Sequence, residues 1–280
     1  WSQGSIRLSF GGPFARGFAG SSSKATAPEM FRGRSFREAL QEMAAEAGFP
    51  VRWEVEGSVG QVRLDAQILD GETAWRELEN ALCTLRSHLI GLERINLCGQ
   101  APLGIGTLVG KVWNRGYGVN GPLHLQSYNA SQKQVWSTEP SDYQHASEWT
   151  PERAQHVQID RPAPLRHTSA LLVLLLAGQD EYLRHVHAWN DSREQPQPVY
   201  VARLPAIRDA EHARQVLREC VGLFRFFRLA CPGVKVIEVI SGYPLALAPL
   251  LAYHLGKQGP LHFYDEVKSS HQYRLATTFD

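Results

Sequence analysis

The chain has 280 residues, 43% of them apolar, enough for a core without disulfide staples and for one large domain or two of ordinary size. Lysine and arginine number 29 against 28 aspartate and glutamate, so no global field draws the chain to duplex DNA or an anionic membrane. Cys83, Cys98, Cys220 and Cys231 lack CxxC spacing and sit in apolar runs, which reads as buried reduced thiols of a cytoplasmic protein.

The longest apolar run, "ALLVLLLAG" from Ala170, falls short of the roughly 20 residues that cross a bilayer, so no membrane span is expected. No charged-then-apolar leader follows Trp1, and the chain is expected to begin at a cut end.

In chain order, "SIRLSF" reads as a strand and "SFREALQEMAAEAGF" as a helix capped by Ser35. "VRWEVEG" and "QVRLDAQIL" read as strands. A helix over "TAWRELENALCTLRSHL", a strand "RINLCG", a helix "PLGIGTLVGKVW" and a strand "GPLHLQSY" complete the first half. A polar stretch with Pro140, Pro151, Pro162 and Pro164 then intervenes.

The second half gives a strand "LLVLLLAG", a helix "DEYLRHVHAW", a strand "PVYVARLP" and a long helix "EHARQVLRECVGLFRFFRLA". A strand "VKVIEVISG", a helix "PLALAPLLAYHLG" closed by Gly256 and a strand "PLHFYDEV" follow. Strands alternating with helices predict an α/β fold with mainly parallel sheets of Rossmann-like type.

The two halves align. Pro102 meets Pro244 at an offset of 142 (244 − 102), and the same offset pairs Arg76-Glu77 with Arg218-Glu219, Arg86 with Arg228, Ile95 with Ile237 and Leu103 with Leu245. "GPLH" recurs at Gly121 and Gly259, an offset of 138, so the first copy carries four extra residues in the turn "NRGYGVN". Two α/β units of unrelated origin also share apolar strands and leucine-rich helices, but here the order and the spacing agree together. The expectation is two tandem modules, residues 1–138 and 168–280, joined by a linker over 139–167 and related by a pseudo-twofold axis.

An open parallel sheet binds its ligand past the carboxyl ends of its strands. The turns Gly99-Gln100-Ala101-Pro102 and Ser241-Gly242-Tyr243-Pro244 each run into a helix, where unpaired N–H groups and the helix dipole favour an anion. The turn after the first strand begins at Gly12 and carries Phe14, Arg16, Lys24, Arg32 and Arg34 against Glu29 alone, which fits phosphate contacts or a solvated loop. Its counterpart is Gly178-Gln179-Asp180, whose side chains read a base edge or cap the following helix. Tyr128, Tyr243 and Tyr264, with Phe14, are the aromatics available for stacking on a base.

No GxxxxGK[ST], GxSxG or strand-closing GxGxxG is present, and Glu266-Val267-Lys268 is a bare ExK. His185 and His187 stand two apart on a helix and so diverge. No catalytic residue, metal or cofactor is expected.

The run "VIEVISGYPLALAPLLAYHLGKQGPLHFYDEVKSSHQY" resembles the end of SAVED domains, and "RINLCGQAPLGIGTLVGKVWNRGYGVNGPLHLQSY" resembles the equivalent element of that family's first half. The resemblance covers about Thr73 to the end and is diffuse. It implies two fused CARF-like Rossmann modules that sense a cyclic di-, tri- or tetranucleotide in CBASS or type III CRISPR anti-phage defence. It also implies self-association on ligand binding and an effector outside this chain. The alternatives are a Rossmann-type nucleotide-processing enzyme and a structural interaction module.

Overall fold

The computed structural model describes residues 5–11, 53–54, 61–65, 72–88, 94–99, 103–114, 124–129, 131–138, 149–160, 168–256, 258–267 and 270–280. The helix expected to start at Ser35 lies outside them. The elements are β1 (Ser5–Gly11), β2 (Trp53–Glu54), β3 (Gln61–Asp65), α1 (Glu72–His88), β4 (Arg94–Gly99), α2 (Leu103–Val112), β5 (His124–Asn129) and β6 (Gln134–Ser137). They continue with β7 (Gln158–Ile159), β8 (Ser169–Leu176), α3 (Asp180–Asp191), β9 (Val199–Leu204), α4 (Ala210–Ala230), β10 (Val236–Gly242), α5 (Leu247–His254), β11 (Leu261–Val267) and β12 (Gln272–Phe279).

Two six-stranded sheets result, ordered β2-β3-β1-β4-β5-β6 and β12-β11-β10-β8-β9-β7. In the second, β11, β10, β8 and β9 run parallel and are flanked by antiparallel β12 and β7. Along β8 the side chains alternate: Ala170, Leu172 and Leu174 join the core beneath α4 and α5, and Leu171, Val173 and Leu175 join Val186 and Trp189 of α3. Both faces are therefore covered, which is why this strand reads as an unbroken apolar run.

Parallel pairing is concentrated in that sheet. In the first, β4 and β5 are the one parallel pair among the described residues, and β1 runs antiparallel to both β3 and β4. Apolar periodicity places a strand but carries no sign of its direction.

The second half is tied together by polar anchors at its helix ends. The Asp209 side chain caps α4 by accepting from the His212 N–H at 2.8 Å. Midway along the same helix, Glu219 accepts the backbone N–H groups of Gln155, His156 and Val157 at 2.7–2.9 Å, fastening the segment before β8 to α4. Cys220 is buried, as its apolar setting predicts, but Cys83 is exposed on α1.

The two halves meet through α2 and α5, α2 buried from Gly104 to its end and α5 along its whole length. A Cβ on Gly106 would stand 3.0 Å from that of Ala248, one on Gly110 would stand 2.7 Å from that of Ala252, and one on Gly256 would overlap the Asn114 amide. Each pair is separated by the repeat offset of 142. Equivalent residues can touch at three successive turns only if the helices run parallel and in register, with the local twofold direction along the pair. Residues 106, 110 and 114 are spaced four apart and so share one face.

Gly256, expected to close this helix, follows its last turn and also serves this contact. It leaves room for Asn114, whose amide nitrogen donates to the Ala252 and Tyr253 carbonyls at 3.0 and 2.7 Å and closes the end of α5. The paired arginines keep a common task. Arg86 donates to the Val112 carbonyl, and Arg228 donates to the carbonyls of Val234, Lys235, Gln258 and Pro260, in each case holding the chain that leaves the central helix or enters the next strand.

Candidate ligand-binding site

Because α2 and α5 are parallel, their N-terminal ends point the same way, beyond the carboxyl ends of β4 and β10. Positive helix ends set side by side favour an anion that spans both halves. Part of that potential is already used within the protein: the Gly104 N–H at the start of α2 donates to Asp265 Oδ2 of β11 at 3.3 Å. At the start of α5, the N–H groups of Leu247 and Ala248 turn back to the carbonyls of Pro244 and Leu245 at 2.9 and 3.1 Å.

Next to this edge, an open cleft of about 520 Å³ lies past the ends of β8 and β11, lined by Gly178, Gln179, Glu181, Tyr182, His185, Glu266 and His271. The chain leaves β8 through a tight turn. Gly178 adopts a left-handed φ of 86° with open space where a Cβ would point, and Gln179 N–H returns to the Leu176 carbonyl at 3.3 Å. The Gln179 side-chain oxygen accepts from the Leu176 N–H at 3.3 Å and makes no cap bond to α3.

Tyr182 forms the floor. Its hydroxyl donates to the Ser241 carbonyl at 3.2 Å, and its ring meets Tyr273 edge-on at 6.1 Å. Burial, reinforced by Tyr273, holds that hydroxyl protonated far above the usual phenol range, so it acts as a donor. Past the far end of α3, Arg193 grips Glu238 through both guanidinium nitrogens at 2.5 and 2.9 Å and lies 4.8 Å over the Trp189 ring.

The structure brings Gly178, Gln179, Ser241 and Gly242 to one rim. What approaches Gly242, however, is the protein itself, since a Cβ there would come within 2.6 Å of Gln179 Oε1 and 2.8 Å of Leu175 Cδ2. Two expected stacking residues sit elsewhere. Tyr243 is a core residue, 5% exposed, and Tyr264 occupies the middle of β11 with its ring 5.5 Å from Trp189, packed on the α3 face of the sheet.

Tyr128 is half-buried on β5 of the first sheet, and Gly99 ends β4. Gly12, Phe14, Arg16, Lys24, Arg32, Arg34, Gln100 and Pro102 lie outside the described residues. The lining residues Glu181, Tyr182, His185, Glu266 and His271 were not singled out as a site by the sequence. Only the position of "DEYLRHVH", directly after a strand-ending glycine turn, signals the first three.

No family model matches this chain, and no curated protein matches it. Solved structures do. A structure of the Acinetobacter baumannii Cap4 SAVED/CARF-domain containing receptor with the cyclic trinucleotide 2'3'3'-cAAA aligns at a TM-score of 0.58 and 15% identity, over 75% of this chain and 44% of that one. The same receptor with 3'3'3'-cAAA aligns at 0.56 and 14%, over 75% and 44%. The Moraxella osloensis Cap4 SAVED/CARF-domain containing receptor aligns at 0.53 and 12%, over 76% and 43%.

The fold is that of the SAVED/CARF-domain receptors, as the resemblance of the two sequence runs implies. The match spans less than half the length of those receptors.

Proposed function

We propose that the chain is a sensor for a cyclic oligonucleotide second messenger, bound across the joined ends of α2 and α5 and the adjoining cleft. The observation that carries this reading is the in-register contact of Gly106 with Ala248 and of Gly110 with Ala252, which aligns two equivalent helix starts on one side. A ring of repeated nucleotide units suits such a doubled surface. The fold shared with receptors solved with cyclic trinucleotides supports the same class of ligand.

In this reading residues 1–138 and 168–280 are the two CARF-like modules, 139–167 joins them, and the chain performs no chemistry of its own. Bound ligand promotes self-association, which switches on an effector that is fused or associated. Among the described residues no helix is long and apolar enough to cross a membrane, and the reading places the protein in the cytoplasm as part of an anti-phage response.

Calorimetric titration with cyclic di-, tri- and tetranucleotides, followed by chromatography of the recovered nucleotide, tests the proposal. One ring per chain, returned intact, is the expected result, with light scattering reporting assembly. A linearised product supports a nucleotide-processing enzyme instead, and absence of binding at every ring size removes the sensor reading.

A further inference from the structure

We propose that His185, Glu266 and His271 form a binding site for one divalent transition-metal ion of the zinc class at the mouth of the cleft. Their ligand atoms all lie within 4.8 Å of one another. They come from three segments: His185 from the second turn of α3, Glu266 from the end of β11, and His271 from the turn into β12. His271 Nδ1 and Glu266 Oε1 are 2.9 Å apart, and the two imidazole rings lie 4.0 Å apart at 36°.

Two imidazoles and a carboxylate are a donor set suited to zinc and its neighbours, whereas calcium and magnesium favour oxygen throughout. Ligands held about 2.1 Å from a tetrahedral ion stand roughly 3.4 Å from one another, so modest side-chain rotation closes the set. His271 is free to make that adjustment, with its side chain 55% exposed, while Glu266 at 16% is the fixed member.

The backbone of His271 is held at a left-handed φ of 50°, a conformation unfavourable for a residue bearing a Cβ. The turn adopts it while bringing the imidazole against Glu266 and His185. Three protein ligands leave a further coordination position for water or an anionic oxygen, and all three line the cleft together with Glu181 and the Gly178-Gln179 turn. The formally charged side chains lining the cleft, Glu181 and Glu266, are both acidic, so a bound divalent cation neutralises the local charge. This site goes beyond the sensor reading and requires no nucleotide.

The test uses the full chain stripped with EDTA and titrated, without nucleotide, with ZnCl2 by calorimetry and with CoCl2 by visible absorbance. One ion per chain with a dissociation constant in the micromolar range or tighter, and the intense visible bands of four-coordinate cobalt, are expected. His185→Ala and His271→Ala should each weaken zinc binding more than tenfold with an unchanged circular dichroism spectrum. His271 lies in an exposed turn, so its variant keeps the comparison interpretable should the other disturb α3. Lack of saturation up to about 1 mM zinc, or undiminished affinity in the His271→Ala variant, overturns the proposal.

Discussion

Gly110 packs against Ala252, the residue that holds its own place in the other half of the repeat, and the space between them is smaller than a methyl group. A Cβ added at Gly110 would lie 2.2 Å from the Pro249 carbonyl oxygen. Alanine normally stabilises a helix interior by about 1 kcal/mol over glycine. Here backbone stands in the way and cannot rotate aside, so overpacking prevails. Gly110→Ala should lower the unfolding free energy by about 1–3 kcal/mol in urea titration. A stabilised variant would mean that the two helices are not in this contact.

Asn114 joins the halves by a different means. Asn114→Ala removes both hydrogen bonds to the Ala252 and Tyr253 carbonyls, although the Ala252 carbonyl keeps the Leu255 N–H. A loss of about 1–3 kcal/mol is expected from the same titration. Asn114→Asp should be at least as damaging, because a carboxylate cannot donate to a carbonyl.

The Arg193–Glu238 pair is partly buried, with side-chain exposures of 22% and 10%. Glu238→Ala strands the guanidinium over Trp189 and should cost about 1–3 kcal/mol, below the full penalty of a buried pair because Arg193 retains contact with water. The double variant Arg193→Met with Glu238→Leu should recover most of that loss.

His212 gives the fold a pH dependence of known sign. Burial, then the charge of Arg208 and the neighbouring His156, lowers its pKa from the ordinary 6.5, with Asp209 opposing. Its Nδ1 accepts from the Arg208 backbone N–H at 3.2 Å, a bond that needs the neutral ring. The unfolded chain takes the proton more readily, so stability falls as pH drops through 6.5 and levels off below the lowered folded value. His212→Gln should remove this part of the slope, read from urea unfolding at several pH values between 5 and 8.

Arg16, Lys24, Arg32 and Arg34 provide the test of phosphate recognition that the sequence itself suggests. Well-made charge-assisted contacts are each worth roughly 1.5–3 kcal/mol. Alanine at all four positions should lower affinity for a cyclic trinucleotide more than tenfold in low salt. A change within about twofold assigns the phosphates to backbone groups and to the second half.

Much of this architecture was legible in the sequence because it rests on local periodicity. The run from Leu171 to Leu176 announces a strand buried on both faces, and the 142-residue offset anticipates which residues of α2 meet α5. Strand direction was not legible, since β1 has the same alternation whichever way it runs. Nor was the fate of Tyr243 and Tyr264, because an aromatic beside a turn or within a strand reads alike whether it faces a ligand or the core. His185 appeared without partners because Glu266 and His271 lie some eighty residues away and reach it only when β11 and its turn fold beside α3.

The tether between the halves also carries a consequence for how they diverge. Separate subunits must meet by diffusion, and every substitution appears on both sides of their interface at once. One continuous chain keeps α2 and α5 at a high effective concentration whatever the dilution, and it releases each side from copying the other. Asp265 already shows this freedom: it supplies a carboxylate to the start of α2, while Ser127, its counterpart three residues beyond the repeated "GPLH", is a buried hydroxyl. Under the proposed sensor reading, a bound ring would therefore meet two unlike faces.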